Sequence, residues 1–233
     1  MSTNIPPPLF DPRQVPVIPL REDELRISVD PQRLTASGLR RLFTALPVWT
    51  PELVQEQRFG SRAPTQAAVL LPLVMHPRPT LLLTLRTMHL STHSGQIALP
   101  GGKLDDTDAD ATAAALRETF EETGLPPERV EVLGALPIYT TGTAFVVTPV
   151  VGLVQPGFVL QPNSHEVDAV FEVPLDFLMD PVNHRRHAQE WEGAVREWYS
   201  IPYQEATPQG AQERFIWGAT AGMLRNFYRL LIA

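Results

Sequence analysis

The chain reads as an α/β protein, an α/β/α sandwich built round a mixed β-sheet, and three observations predict it. Short apolar runs enriched in β-branched residues recur between residues 66 and 173, each the length of a strand rather than a helix. Helical patterns stand before, among and after these runs, near residues 31–46, 111–123 and 215–231. Pro and Gly turns separate the two kinds of segment, and strands flanked by helices in this order fit layers of helix, sheet and helix.

The elements follow in order. Six of the 24 prolines fall in residues 1–20, so residues 1–28 are expected to form an extended or partly disordered lead-in, with one domain over residues 29–233. Asp30-Pro31 is a helix start signal, and Leu34, Leu39, Phe43 and Leu46 anchor a helix to about residue 46. Residues 66–75 form a buried strand, His76-Pro77-Arg78-Pro79 a turn, and residues 80–86 the second arm of a hairpin. A loop over residues 93–102 leads into a helix that Asp108 or Asp110 can cap and Gly124 can end. Strands are expected over 129–138, 144–154 and 169–173, then a short helix at 176–179. Trp191 and residues 197–201 suggest a last hairpin before a helix over 215–231.

Composition narrows the function. A 233-residue chain with 43% hydrophobic content can bury a sizeable core. Without cysteine there is no disulfide or thiolate metal site, and a cytoplasmic location is the expectation. No apolar run suggests a signal peptide or a membrane span. A formal net charge of −7 argues against a nucleic-acid surface. An acidic protein with an anionic ligand needs local positive charge, for which a bound metal, Lys103, Arg86 and the pair Arg185-Arg186 are the candidates.

The chemistry concentrates in Arg117-Glu118-Thr119-Phe120-Glu121-Glu122-Thr123-Gly124-Leu125, a short distance after Pro100-Gly101-Gly102-Lys103. On a helix Glu118, Glu121 and Glu122 lie at i, i+3 and i+4, so their carboxylates share one face. Three such charges cost about 0.2–0.5 kcal/mol per pair, a cost that a hard divalent cation, Mg²⁺ or Mn²⁺, removes. Ala113, Leu116 and Phe120 fall roughly opposite and are expected to face the core. Ala111, Ala114 and Ala115 lie on or beside the acidic face and leave room for a ligand.

The stretch from Gly102 to Leu125 resembles the box of the Nudix hydrolases, G-x5-E-x7-R-E-U-x-E-E-x-G-U. Gly102, Arg117, Glu118, Glu121, Glu122, Gly124 and Leu125 match. Asp108 stands at the first Glu position, one extra residue separates it from Arg117, and Thr119 replaces an aliphatic residue. Upstream, Leu82-Leu83-Thr84-Leu85-Arg86, His93, Gly95-Gln96-Ile97 and Pro100-Gly101-Gly102 are similar to the stretch that marks the coenzyme A-directed subfamily, with Ser91 and Leu99 departing from it. Residues 216–223 resemble that subfamily's closing helix.

The resemblance implies the Nudix α/β/α fold and cleavage of the central diphosphate of coenzyme A or its derivatives into 3′,5′-ADP and 4′-phosphopantetheine. It implies Glu118, Glu121, Glu122 and the Gly102 carbonyl as metal ligands and Arg117 as the residue that orients them. Glu166, in Asn163-Ser164-His165-Glu166, is the candidate base or further ligand. Arg86, His93, Gln96 and Lys103 are the candidate substrate contacts. The partner is a small nucleotide-derived molecule, with neither nucleic acid nor membrane, and the superfamily's habit of dimerising allows a homodimer. Two other readings stay open: hydrolysis of ADP-ribose, dinucleotides or aberrant nucleotides, and a domain that binds nucleotide without cleaving it.

Overall fold

The computed structural model describes residues 11–19, 27–57, 63–87, 95–191, 194–208 and 210–233. Within the proline-rich lead-in, Pro12–Gln14 form a single 3-10 turn capped by Asp11, and β1 (Val17–Ile18) follows. The expected helix after Asp30 is divided. Pro31–Leu34 make a 3-10 turn and α1 spans Ala36–Thr44, because Thr35 is extended at ψ 155° and its hydroxyl caps α1 by accepting from the Gly38 N–H.

The central sheet starts with β2 (Thr65–Val74) and β3 (Thr80–Arg86), matching the expected strands within a residue. Short β4 (Ile97–Ala98) and β5 (Gly101–Lys103) follow, then α2 (Ala111–Thr123), β6 (Val130–Ala135), β7 (Tyr139–Thr140), β8 (Phe145–Val154) and β9 (Val167–Pro174). The β2–β3 hairpin is brief, pairing only Leu73 with Leu81 and Val74 with Thr80. β3 then runs between β4 and β9. β2 pairs in parallel with β8 over its whole length while every other pair is antiparallel, which makes the sheet mixed.

Alternation along β2 and β3 sets the layers. Leu71, Leu73, Leu81 and Leu83 enter one core, whereas Ala68, Leu70, Val74 and Leu82 enter a second core on the other face, where α2 lies. The first core is covered by the final helix and a second sheet. After α3 (Leu175–Leu178) come β10 (Arg185–Trp191), β11 (Ala194–Thr207) and β12 (Gly210–Trp217), which with β1 form a four-stranded sheet in the order β1-β10-β11-β12. α4 (Gly218–Ile232) places Leu224, Phe227 and Leu231 in the first core with Tyr199, Ile201 and Ile216 of the second sheet. Phe215–Trp217, expected to be helical, belong to β12, because Ile216 pairs with Ile201. The helix begins only where Gly218 turns to φ 61°.

Candidate active site

Both ends of α2 are fixed locally. Asp110 accepts from the Ala113 N–H at 2.8 Å, and Gly124 adopts φ 74° and donates its N–H to the Phe120 carbonyl. The helix turns its alanines inward, with Ala114 and Ala115 fully buried against Ala68 and Leu70. This corrects the expected apolar stripe: Phe120 is 50% exposed and Leu116 only borders the core. Small side chains let α2 lie close over β2, and the acidic edge is thereby drawn in towards Gly101 and Gly102 of β5, so that Glu122 is 3% exposed.

Arg117 organises one side of the site. Its Nε and Nη2 donate to the two oxygens of Asp108 at 2.9 and 2.8 Å. Its Nη1 donates to Glu118 Oε1 at 3.0 Å and Glu121 Oε2 at 3.2 Å, and Nη2 also reaches the Lys103 carbonyl at 3.3 Å. The hydrogen bonds from Arg117 hold the Asp108 carboxyl at about 2. Asp108, at the shifted position of the box, therefore anchors the arginine, a role that the irregular spacing hid.

Glu122 is held on both oxygens. Oε2 accepts from the Gly101 N–H at 3.1 Å and Oε1 from Arg86 Nη1 at 3.2 Å. Burial pushes its carboxyl up to about 7, against the Gly101 bond and the Arg86 charge, with Glu166 and Glu118 adding repulsion. Burial also raises Glu118, chiefly against Arg117. Gly101 has φ 150° and sits where a Cβ would strike the Ala68 carbonyl, while a Cβ on Gly102 would come 2.4 Å from Glu118 Oε2. Gly101 needs both its conformation and its space against backbone, whereas Gly102 needs space against a side chain.

The loop before β9 brings Glu166 to the same corner. Gln161 and Asn163 donate their N–H groups to the Thr123 and Glu122 carbonyls, and Thr87 donates to the Glu166 carbonyl at 3.0 Å. Glu166 is half-buried and close enough to raise both Glu118 and Glu122. Gln96 lies beside Arg86, whose N–H bonds the Gln96 carbonyl at 3.0 Å. Lys103 has an exposed side chain and meets the site through its carbonyl. His93 and Ser91 lie outside the described residues. Leu99 is buried in the first core. Arg185 and Arg186 stand on β10 in the second sheet, where Arg186 bonds Glu197 at 2.6 Å, so the structure does not bring that pair to the glutamates.

Among the described residues no three His, Cys, Asp or Glu side chains are grouped closely enough to hold a metal ion as they stand. Arg117, Arg86 and the Gly101 N–H each hold the glutamates they touch. The donor set nevertheless fits a hard divalent cation: carboxylate and carbonyl oxygens only, like charges crowded together, and burial that penalises the bare charges of Glu118 and Glu122.

The sequence comparisons agree with this geometry. The NUDIX domain model matches residues 64–214. The chain is 44% identical over 166 residues to the Uncharacterized Nudix hydrolase NudL of Escherichia coli (strain K12), covering 69% of this chain and 80% of that protein. It is 43% identical over 166 residues, with the same coverage, to the protein of that name from Shigella boydii serotype 18. Among solved structures, a MutT/nudix family protein from Enterococcus faecalis is similar at 15% identity and a TM-score of 0.43, covering 85% of this chain and 75% of that one. No helix among the described residues is long and apolar enough to cross a membrane. The box, its arginine clamp, the NUDIX domain model and the relatives at 43–44% identity together show that the chain belongs to the Nudix family and is a Nudix pyrophosphohydrolase.

Proposed function

We propose that the enzyme hydrolyses the central diphosphate of coenzyme A or its derivatives, giving 3′,5′-ADP and 4′-phosphopantetheine or its acyl form. The observation that carries this reading is the contact between Arg86 and Glu122 at 3.2 Å. It joins the stretch similar to coenzyme A-directed enzymes, residues 82–102, to the glutamate box. This contact supports a reading in which the substrate-recognising stretch and the hydrolytic centre share one wall.

Glu118, Glu121, Glu122 and the Gly102 carbonyl would hold Mg²⁺ or Mn²⁺. When bound, the cation supplies neutralisation of the charge that develops on the phosphoryl oxygens. The residues supply the rest. Arg117, locked by Asp108, keeps Glu118 and Glu121 in fixed positions. Glu166 takes one proton from the attacking water as its oxygen bonds to phosphorus. The bond from that phosphorus to the bridging oxygen breaks, and the departing phosphate keeps the electron pair. Gln96 offers an amide to the pantetheine arm, with Lys103 and His93 as further contacts on the substrate side. The proximity of Glu166 to both Glu118 and Glu122 supports its place as base.

A panel of coenzyme A, acyl derivatives, ADP-ribose and dinucleotides, each with Mg²⁺ and with Mn²⁺, tests the substrate. Preference for coenzyme A is expected, and a clear preference for a substrate without the pantetheine arm would refute it. Glu166→Gln should lower turnover by about 10²-fold or more, and activity within a few-fold of wild type would remove Glu166 as base.

A further inference from the structure

Arg86 ends β3 where the pairing with β9 shifts register between Leu85 and Arg86. Three-quarters of its side chain is covered, at 25% exposure, and its Nε is buried without a hydrogen-bond partner. Its Nη1 is aimed at Glu122 Oε1, while Glu122 itself is still more deeply covered, at 4% side-chain exposure. The guanidinium thus meets Glu122 through Nη1 while its buried Nε–H is left without a partner. Arg117 directs its donors to Asp108, Glu118, Glu121 and the Lys103 carbonyl, so among the described residues the charged group on Glu122 is Arg86, beside the Gly101 N–H.

A carboxylate so buried needs a positive neighbour to stay where it is. We infer that Arg86 is a positioning residue that acts through Glu122, the counter-ion that keeps this carboxylate in place until a divalent cation binds. The inference rests on the reading of Glu122 as a metal ligand. A cation bound there stabilises the same charge that Arg86 stabilises, so the two are alternatives for one task. Removing Arg86 should therefore make the fold depend more strongly on metal.

Thermal unfolding at pH 9 of wild type, Arg86→Met, Glu122→Gln and the double variant, without divalent cation and then with Mn²⁺, tests this. Without metal, Arg86→Met should lower the midpoint by roughly 5–10 °C when Glu122 is present, but by no more than about 2 °C in the Glu122→Gln background. Mn²⁺ should raise the midpoint of Arg86→Met more than that of wild type, and Arg86→Lys should recover part of the metal-free loss. An equal loss in both backgrounds would overturn the inference, since Arg86 would then be only packing. So would a wild-type midpoint and Mn²⁺ response with a raised KM, which would assign Arg86 to the substrate alone. Failure of the metal reading looks different: Mn²⁺ would then shift none of the four proteins, while the metal-free comparison would still decide the pairing of Arg86 with Glu122.

Discussion

Asp108 and Arg117 meet through two parallel hydrogen bonds, Nε to Oδ1 at 2.9 Å and Nη2 to Oδ2 at 2.8 Å. That fork leaves Arg117 Nη1 pointing at Glu118 and Glu121. Asp108→Asn keeps the shape but offers an amide N–H where Arg117 needs an acceptor. Activity should fall about 10–100-fold, as for other groups that orient ligands, with a lower melting temperature because a buried ion pair is broken. Steady-state kinetics beside a thermal melt checks this, and a wild-type rate would show that Arg117 keeps its aim without Asp108.

The adjacent glycines should fail in different ways. At Gly101 the added Cβ meets backbone, the Ala68 carbonyl at 2.3 Å, at a φ of 150°. Gly101→Ala should therefore lower stability. At Gly102 the obstacle is the end of the Glu118 side chain, 2.4 Å away, which can turn aside by giving up its bond from Arg117. Gly102→Ala should melt near the wild-type temperature and lose about 10²-fold in rate, because a carboxylate is displaced by about an ångström. Equal melting temperatures for the two variants would contradict the distinction.

Two buried groups give opposite pH dependences. Burial lowers His184 from 6.5 to about 4. Its Nε2–H bonds the Leu178 carbonyl and its Nδ1 faces Arg225 Nη1. The unfolded chain takes up this proton first, so the stability His184 lends above pH 6.5 is lost as pH falls towards 4. Burial raises Glu122 from 4.5 to about 7, and there the folded state holds the proton more tightly. Its contribution is full below pH 4.5 and lost as pH rises through 7. Each is worth about 3 kcal/mol. Denaturant titrations of metal-free protein should show Glu122→Gln losing more stability than wild type between pH 7 and pH 4, and His184→Gln losing less. Identical slopes for the two variants would refute the assignment.

The orientation of α2 is testable without activity. Phe120→Gln should change stability by no more than about 0.5 kcal/mol, because half of that side chain is exposed. Ala115→Leu should cost about 1–3 kcal/mol, because Ala115 is fully buried against β2. Chemical denaturation would show the reverse order if Phe120 faced the core.

These residues also show what the sequence makes legible. Asp110, Gly124 and the 118/121/122 spacing are local signals, so the helix, its caps and its glutamate edge are readable before any fold is known. The inward turn of that edge is not. It depends on alanines that permit close packing and on Arg86 and the Gly101 N–H, which approach from other elements to offset the buried charge of Glu122. Polarity misleads there, because a rule that sends glutamates outward ignores partners supplied at long range. The second sheet was half-legible for the same reason. Ile216 carries a helical pattern, but its pairing with Ile201 decides for strand.

The central claim is metal-dependent cleavage of coenzyme A by the glutamate box. Its most direct test is chromatography and mass analysis of products after incubation with coenzyme A and Mg²⁺ or Mn²⁺, beside the Glu121→Gln,Glu122→Gln double variant. The account predicts release of 3′,5′-ADP and 4′-phosphopantetheine by wild type and none by the variant. Intact coenzyme A with wild-type protein, or equal release by the variant, would contradict it.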